Sequence, residues 1–519
     1  MVSAPHHLAA QAGLRVLRDG GNAIEATVAA AATITVVYPH MNALGGDSFC
    51  LIHFPGGHVK AIDACGAAAS VADFDFYRAK GCKEIPPRGP LSALTVAGAV
   101  SGWDSALQAS KSIGGRMPLE RLFEDAIYYA ERGMSVTRNL AANAASKSHE
   151  LEDISGFGQV YLPGGVPIAE ASQLKQPRLA ATLRRLASAG LGDFYRGELA
   201  RSIAADLARA GSPVSAMDLF HHEALEVEPL SLAVAGHKLY NMPPPTQGLA
   251  SLILLGVYER LGIDTAETAE FVHGLVEATK RAFRIRDAHV TDPEYMQTDP
   301  ESFLSGAKLD SIAAEVDPTR ASPWANTADA GDTVWLGVID GEGLAVSFIQ
   351  SIYWEFGSGL ILDETGIAWQ NRGTSFSLDP ANSNFLAPGR RPFHTIQPAI
   401  AHLADGRVMA YGTMGGDGQP QTQAMIFARH VLHGQDLQSA VSAPRWLLGR
   451  TWGDTTTSLR IEDRFDPAAV RTLEKLGHPV QRVGSFDEIT GHAGAIVRHK
   501  DGLIEGAADP RSDGAALGF

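Results

Sequence analysis

A threonine at the start of a strand-like segment is the first residue whose placement could do chemistry. Thr333 opens the apolar run 333–339, directly after an irregular stretch, 307–330, that gathers Pro, Ala, Asp, Asn and Thr. A threonine hydroxyl is a poor nucleophile unless a base lies beside it. Cleavage of the Asp332–Thr333 bond would create that base, because an α-amine has an ordinary pKa of about 7.7–8.0. The alternative interpretation is a β-branched residue that simply favours a strand.

Two loops carry residue types that bind negative charge. The run 415–420, GGDGQP, leads into a predicted helix, whose first backbone N–H groups attract anions. It could form an oxyanion hole or a phosphate cradle, or be a plain glycine turn, and it is no Walker loop because no Lys-Ser/Thr follows. The run 389–395, GRRPFHT, has two arginines that could clamp a carboxylate, or that form a solvated face or a structural ion pair.

Metal and serine-nucleophile chemistry find little support in the sequence. The clusters His6-His7 and His221-His222-Glu223 lack a ligand spacing such as HExxH, so we interpret them as surface or packing histidines. No Gly-x-Ser-x-Gly elbow of the strand–turn–helix kind is present. Three cysteines are too few for a disulfide framework and show no CxxC spacing. We therefore expect no metal and no cofactor.

The composition is that of a globular chain with ample material for a core. The 519 residues are 45% apolar and 19% charged, with a net charge of −15. That charge repels phosphate backbones and disfavours nucleic-acid binding, whereas a local cationic pocket could still bind a small anion. The start lacks the features of a signal peptide, and the small-apolar stretch 26–38 is too short to span a bilayer. We expect a cytoplasmic protein with no membrane or nucleic-acid partner.

Helical patterns dominate the first part of the chain, up to about residue 284, and strand patterns dominate after residue 333. Helices are predicted at 8–17, 23–37, 119–131, 178–189, 197–210, 267–286 and 421–432. Strands are predicted at 48–54, 58–62, 333–339, 344–353, 399–402 and 408–411, with hairpin turns at 55–57 and 340–343. This order favours the layers of an α+β fold over alternating βαβ units.

The ordered set of segments resembles one known family. The motifs are AGLRVLRDGGNAIEATVAAA, NALGGDSF, GDTVWLGVIDGEGLAVSFIQSI, FGSG, GRRPFHTIQPAI, TMGGDGQPQTQ, SAPRW and GAADPRSD, and they run nearly from end to end. Each is weak alone, but their order and spacing together resemble the γ-glutamyltransferase family of N-terminal-nucleophile hydrolases. Within that family the chain looks most similar to the oxamate amidohydrolase branch.

The resemblance implies a fold and a maturation step. The family fold is a four-layer αββα sandwich, and the precursor cleaves itself before the threonine that matches Thr333. The products would be a helix-rich large subunit, 1–332, and a small subunit, 333–519, which carries the nucleophile. The two would remain one folded unit, and a dimer of such heterodimers is compatible with the family.

The resemblance also implies roles for single residues. The hydroxyl of Thr333 would form an acyl-enzyme while its amine carries the proton. Gly415 and Gly416 match the glycine pair that supplies the oxyanion hole. Ser351, eighteen residues after Thr333, matches a hydroxyl residue that hydrogen-bonds the nucleophile, and the hairpin between them makes that contact geometrically reasonable.

The chain departs from the family at the positions that grip a glutamyl group. Cys65 stands where the family has the arginine that binds the α-carboxylate, and Ser375 stands at about the position of the acidic residue that holds the α-amine. His394 and Thr395 replace a serine pair, and the cation Arg372 lies close to Ser375 in the sequence. The chemistry is therefore expected to be retained while the glutamyl pocket is lost.

These observations predict a self-processing amidohydrolase that releases ammonia from a small carboxylate-bearing amide such as oxamate. Arg372, or the His394-Thr395 loop, would bind the carboxylate. The alternatives are a γ-glutamyltransferase or glutathione hydrolase and a β-lactam-type acylase. A non-catalytic homologue that acts as a binding protein is the alternative from another class, and Thr333, Ser351 and the two glycines argue against it.

Overall fold

The computed structural model describes residues 1–324, 332–449 and 457–519, with Asp332 described by its backbone alone. The helices are α1 His7–Arg18, α2 Ala23–Val37, α3 Phe74–Ala79, α4 Ala99–Ser112, α5 Leu119–Arg132, α6 Arg138–Leu151, α7 Phe157–Tyr161, α8 Pro177–Ala189, α9 Asp193–Arg196, α10 Glu198–Ala210, α11 Ala216–His221, α12 Gly248–Arg260, α13 Ala269–His289, α14 Gly306–Ala313, α15 Gly418–Phe427, α16 Leu437–Ser442 and α17 Pro467–Lys475. The strands are β1 Val2–Ala4, β2 Asp47–His53, β3 Val59–Ala64, β4 Met134–Ser135, β5 Gln173–Leu174, β6 Leu225–Val227, β7 Leu230–Val234, β8 His237–Asn241, β9 Asp332–Ile339, β10 Ala345–Tyr353, β11 Ala399–His402, β12 Val408–Thr413, β13 Trp446–Leu448, β14 Leu459–Glu462, β15 Val480–Val483, β16 Ala493–Arg498, β17 Ile504–Ala508 and β18 Ala515–Leu517.

Two antiparallel sheets form the centre of the molecule. The first sheet has the strand order β18-β1-β9-β10-β2-β3-β6, and the second has the order β17-β16-β12-β11-β8-β7. Strands β9 and β10 of the first sheet lie against β12 and β16 of the second. Each sheet takes strands from both sides of the 332/333 junction, so neither side of the chain completes a sheet by itself.

Helices cover the outer face of each sheet. Helices α2 and α4 pack on the first sheet, and α12 and α15 pack on the second. Helix α2 is buried along its whole length, because its sequence AIEATVAAAATITVV is composed almost entirely of small and apolar residues. A capping box between Asn22 and Glu25 fixes its first turn. The predicted four-layer αββα sandwich is confirmed.

A tryptophan fills the space between the two sheets. Trp335 of β9 is 2% exposed and donates a hydrogen bond from Nε1 to Ser347 Oγ at 2.9 Å. Its ring lies so close to β12 that a Cβ on Gly412 would be 2.1 Å from Trp335 Cδ1. The glycine at this position therefore sets how closely the sheets approach, which in turn brings their loops together at one end.

The structure corrects part of the predicted element map. The hairpins β2–β3 and β9–β10 and the predicted helices are confirmed within a few residues. Strands β6–β8 interrupt a region where we expected helices. The sequence did not predict them because they are short, and the alternation of buried and exposed residues in β7 extends over only five positions. The stretch predicted to be irregular begins with helix α14, and its residues 325–330 lie outside the described part. Within the described ranges, no helix is both long and apolar enough to span a membrane.

Candidate active site

Three neighbouring strands of the first sheet place polar side chains in one row. Ser351 near the end of β10 is directly opposite Asp47 at the start of β2. On its other side, Gln350 of β10 pairs with Val334 of β9, so the same register puts Ser351 level with Thr333 before the register shifts at Tyr353. The row Thr333–Ser351–Asp47 therefore crosses about two strand spacings, or roughly 10 Å.

The Thr333 hydroxyl is buried and hydrogen-bonded to Ser351, the residue that the family resemblance pairs with it. Thr333 is 1% exposed, and its Oγ1 donates to Ser351 Oγ at 3.3 Å. Ser351 Oγ also accepts the backbone N–H of Tyr353 at 2.8 Å. Tyr353 has a φ of +81°, a conformation that a bulky residue adopts only when its surroundings impose it. The strained backbone thus holds the serine that contacts the threonine hydroxyl.

The glycine pair of the second sheet lies at the same end of the sandwich. Gly415 and Gly416 follow β12 and have φ values of +115° and +51°. Neither backbone N–H donates a hydrogen bond to another described residue. Gln419, in the first turn of α15, reaches across the layers and donates from Nε2 to Thr333 Oγ1 at 3.4 Å. Gln419 therefore links the loop that carries the glycine pair to the threonine hydroxyl.

One glutamine ties the glycine pair to the residues predicted to bind substrate. Nε2 of Gln247 donates to Gly416 O at 2.8 Å and to the carbonyl of Thr395. Its Oε1 accepts Arg286 Nη1 at 2.8 Å, and the same Arg286 nitrogen donates to Asp417 at 2.8 Å. Arg286 and Asp417 are fully buried, so this network is a rigid support under the glycines.

The predicted substrate-binding residues Arg372, His394 and Thr395 form one buried cluster. Arg372 Nη1 donates to Thr395 Oγ1 at 3.2 Å, and its guanidinium carbon lies 3.3 Å from the centre of the Tyr353 ring. Stacking of this kind holds a guanidinium in place and leaves it charged. Burial, and then the charge of Arg372, hold the pKa of His394 well below its usual range, so the imidazole is neutral.

Asp47, which the sequence analysis did not single out, joins this cluster to the row. Its Oδ2 lies 2.9 Å from His394 Nε2. Its Oδ1 accepts the backbone N–H groups of Gly66 and Gly98 at 3.0 Å each, and Gln370 Nε2 at 3.1 Å. Burial raises the pKa of Asp47 to about 6, while these hydrogen bonds act in the opposite direction. The carboxylate is thus fully engaged and held in one orientation.

The two residues that depart from the family pattern, Cys65 and Ser375, both lie near Arg372. Cys65 follows β3, is buried, and donates its backbone N–H to Asp63 Oδ1 at 3.0 Å. Burial, with Asp47 and Asp63 nearby, raises the pKa of its thiol well above the usual value. Ser375 donates to the carbonyl of Arg372 at 3.0 Å and lines a polar cavity of about 700 Å³. Neither side chain carries a charge that could bind an amino acid's α-centre.

The arginine pair of the 389–395 loop forms structural contacts, which is one of the alternatives to a carboxylate clamp that the sequence left open. Arg390 donates from Nη1 to the carbonyl of Phe385 at 2.7 Å and from Nη2 to Thr291 Oγ1 at 2.7 Å. Arg391 forms ion pairs with Asp63 and Asp292, each at 3.1 Å. Both guanidinium groups are therefore committed to holding the loop that carries His394.

The histidines flagged in the sequence have packing or surface positions. His6 is buried and caps α1, and His222 is buried and contacts Ser101 Oγ at 2.8 Å. Two other groups have ligand atoms within 4.8 Å of one another, namely Asp47–Cys65–His394 and His273–Glu277–His478. A metal ion in the Asp47 group would face the positive charge of Arg372. A metal ion in the Glu277 group would compete with Lys280 and Arg281, which form ion pairs with Glu277. Neither group has the environment of a typical metal site.

Sequence reasoning missed three supporting residues for different reasons. Asp47 and Gln419 lie inside motifs already quoted, NALGGDSF and TMGGDGQP, where only the glycines attracted attention. Gln247 follows the run PPPT and carries no local signal. Its role depends on contacts with residues 148 and 169 positions away, which no local pattern encodes.

The arrangement is suited to acyl transfer. A buried hydroxyl can attack a carbonyl carbon, two adjacent backbone N–H groups can bind the oxyanion that forms, and a fixed cation nearby can hold an acid. Thr333 has such a hydroxyl, Gly415 and Gly416 have adjacent backbone N–H groups, and Arg372 is a buried cation of the same cluster.

Known proteins share both the sequence and the fold. A family model described as gamma-glutamyltranspeptidase matches residues 9–519. An oxamate amidohydrolase proenzyme of Klebsiella pneumoniae is 55% identical, covering 100% of this chain and 98% of that protein. A glutathione hydrolase-like proenzyme of Bacillus subtilis is 39% identical over 100% of this chain and 98% of its own length.

A solved structure extends the likeness to three dimensions. The cephalosporin acylase of Bacillus halodurans superposes with a TM-score of 0.91 and 33% identity, covering 99% of this chain and 94% of that one. The chain belongs to the gamma-glutamyltranspeptidase family, and it is an enzyme of the N-terminal-nucleophile hydrolase type.

Proposed function

We propose that this chain cleaves itself between Asp332 and Thr333 and then hydrolyses the amide of a small carboxylate-bearing substrate, such as oxamate, with release of ammonia. The observation that carries the proposal is the contact of the buried Thr333 hydroxyl with Ser351 and Gln419, beside the glycine pair and a buried arginine cluster. A nucleophile, an oxyanion site and a carboxylate site at one end of the sandwich support one reaction class.

The processing step uses the same hydroxyl as turnover. Oγ1 of Thr333 adds to the carbonyl carbon of Asp332, the peptide C–N bond breaks, and the hydroxyl proton ends on the Thr333 nitrogen, which becomes the α-amine. Water then hydrolyses the resulting ester, which leaves a carboxylate on Asp332 and a free hydroxyl on Thr333. Ser351 supports the step because its Oγ orients the attacking hydroxyl.

Turnover repeats this chemistry on the substrate amide. The Thr333 amine accepts the hydroxyl proton as Oγ1 attacks the carbonyl carbon, and the backbone N–H groups of Gly415 and Gly416 bind the oxyanion. The amine then passes the proton to the leaving nitrogen, which departs as ammonia. Water attacks the threonyl ester and releases the acid. Gln419 supports both halves of the reaction, since its Nε2 fixes the position of Thr333 Oγ1.

The substrate class follows from the charges around the nucleophile. Arg372, stacked on Tyr353 and bonded to Thr395, is a fixed cation within the same cluster as His394. In oxamate the carboxylate is bonded directly to the amide carbon, so both groups fit a site where cation and nucleophile are close. The 55% identical Klebsiella protein is an oxamate amidohydrolase proenzyme, which supports the same substrate.

The two products of cleavage would remain together. Both sheets pair strands from 1–332 with strands from 333–519, so separation would break ladders such as β2–β10 and β8–β11 and expose the core between the layers. We therefore include in the proposal a mature enzyme of two associated subunits. Thr333 would be the first residue of the smaller one.

Glutathione hydrolysis is the weaker alternative for this site. Cys65 replaces the cation expected for a glutamyl α-carboxylate, and Ser375 replaces the anion expected for its α-amine. Each lost charge-assisted hydrogen bond would weaken binding by about 1.5–3 kcal/mol. A β-lactam side-chain acylase would share the nucleophile, but the buried cluster around Arg372 favours a small acid over a bulky acyl group.

A gel and an ammonia assay test the proposal together. Purified wild-type protein is expected to yield two fragments, the smaller starting TVWLGV, and Thr333→Ala is expected to remain full length. Ammonia release should be rapid with oxamate and slow with acetamide, which lacks the carboxylate. A different fragment start, or efficient turnover of glutathione with none of oxamate, would contradict the proposal.

A further inference from the structure

Asp47 and His394 form a buried pair at the end of the row of polar side chains. Nε2 of His394 lies 2.9 Å from Asp47 Oδ2, and the two side chains are 1% and 0% exposed. The backbone of His394 is also held at both ends, since its N–H donates to Pro245 O and its carbonyl accepts Gln247 N–H, each at 2.9 Å. The imidazole ring therefore has one orientation, which Asp47 sets.

The other ring nitrogen of His394 is buried without a hydrogen-bond partner among the described residues. Buried polar atoms are nearly always paired, so an unpaired one inside a functional cluster points to a ligand. With an ionised Asp47 accepting from Nε2–H, a neutral ring leaves Nδ1 without a proton. Nδ1 would need to take up a proton before it could donate to an acid.

The charges that face the ring balance when the site is empty. Asp47 carries one negative charge and Arg372 one positive charge, and the neighbouring Cys65 thiol is neutral because burial raises its pKa. Beyond them, Arg391 pairs with two carboxylates, Asp63 and Asp292. His222, which also acts on Asp47, has its pKa lowered by burial to about 4. A substrate carboxylate would therefore add an uncompensated negative charge.

We infer that a carboxylate bound beside Arg372 is also held by Nδ1–H of His394, which takes up one proton from solvent as the acid binds, with Asp47 as the positioning residue and counter-charge. This inference rests on the proposed function, because it requires a carboxylate-bearing substrate. No bond in the substrate changes in this step. The Thr333 amine is not the acceptor, since it must stay neutral to receive the hydroxyl proton.

Coupling of this kind has a measurable signature. If His394 takes up one proton with each bound acid, affinity for the acid falls about tenfold for each unit of pH. This fall begins above the pH at which His394 is already protonated in the empty site. If Asp47 served only to hold the fold, its replacement would change affinity or stability but not the number of protons taken up when the acid binds.

The test is the proton stoichiometry of oxalate binding, measured by titration calorimetry in buffers of different ionisation enthalpy. Oxalate is the product expected from oxamate. Wild-type processed enzyme is expected to take up about one proton more per bound oxalate than His394→Gln, whose amide can donate a hydrogen bond without titrating. Asp47→Asn should bind without that extra proton and with a flat pH dependence, because its amide keeps the three backbone and side-chain contacts while removing the counter-charge.

The matched control is Asp340→Asn, another largely buried carboxylate that accepts backbone N–H groups, in the β9–β10 hairpin away from the cluster. It should retain the wild-type proton number. Uptake unchanged in both Asp47→Asn and His394→Gln, or no oxalate binding by the wild type, would overturn the inference. Ammonia release from oxamate by the same wild-type sample separates this result from a failure of the proposed function.

Discussion

Replacement of Ser351 by alanine would test whether the hydrogen bond to Thr333 contributes to the rate. Ser351 Oγ is buried and accepts two donors, Thr333 Oγ1–H at 3.3 Å and the Tyr353 N–H at 2.8 Å. The first bond is longer than the usual O–H···O distance of about 2.7–2.8 Å, so we assign it about 1 kcal/mol. Its loss should slow both self-cleavage and turnover about five- to tenfold.

The same change should also affect stability. Without Ser351 Oγ the buried N–H of Tyr353 loses a hydrogen-bond acceptor, which costs about 1–3 kcal/mol of unfolding free energy. Ser347→Ala separates the two effects, because Ser347 lies on the same strand, is fully buried and bonds Trp335 Nε1 and Ala399 N–H without touching Thr333. It should lower stability by a similar amount and leave the rates near wild type.

The assay follows the fraction of cleaved chain on gels over time, and ammonia release after processing is complete. Ser351→Thr retains a hydroxyl and should recover most of the lost rate. The reasoning fails if Ser351→Ala processes as fast as wild type, or if Ser347→Ala slows processing to the same extent. Thermal unfolding of all three variants shows whether the loss of rate follows the loss of stability.

Four further outcomes are expected. Gly416→Ala places a Cβ on a residue with a φ of +51° and should move the backbone N–H that would bind the oxyanion. We expect kcat to fall by about 10²–10³-fold, measured as ammonia release from variant protein whose unfolding temperature is normal. Arg372→Gln should raise KM for oxamate by about tenfold or more and change the gel half-time of self-cleavage little, because processing involves no substrate carboxylate. Burial, with Glu355, Asp487 and Asp513 nearby, raises the pKa of Glu488 to about 7 in the folded protein. Ionisation of this carboxyl therefore lowers the stability of the fold as the pH rises from the pKa of an unfolded glutamate to 7 and above. Glu488→Gln should accordingly melt at a higher temperature than wild type at pH 8 and at the same temperature at pH 4. Ammonia release should survive a chelator, and its loss would show that a metal takes part.

Local pattern was sufficient for the pieces of the site that lie close in sequence. The DGEG turn at 340–343 and the alternating strands around it predict a hairpin, and the hairpin by itself brings Ser351 level with Thr333, eighteen residues away. The glycine pair ahead of a helix likewise indicated an anion site, because conformations with positive φ and free N–H groups are local properties. Short strands such as β7 were missed, since five alternating residues give too weak a period to stand out among helices.

The contacts that join these pieces depend on the packing of the layers. Asp47 and His394 are 347 residues apart, and Gln247 contacts Thr395 and Gly416 from a segment with no motif of its own. Such pairs arise because the two sheets meet across Trp335 and the glycines that accommodate it, and burial then requires each polar group to find a partner. The residue pattern and the family resemblance together predicted Thr333 as the nucleophile, Ser351 as its partner and the glycine pair as an anion loop. Which acid, amide and imidazole surround these residues depends on the tertiary structure, because those contacts are set by the distance between the sheets and not by any period along the chain.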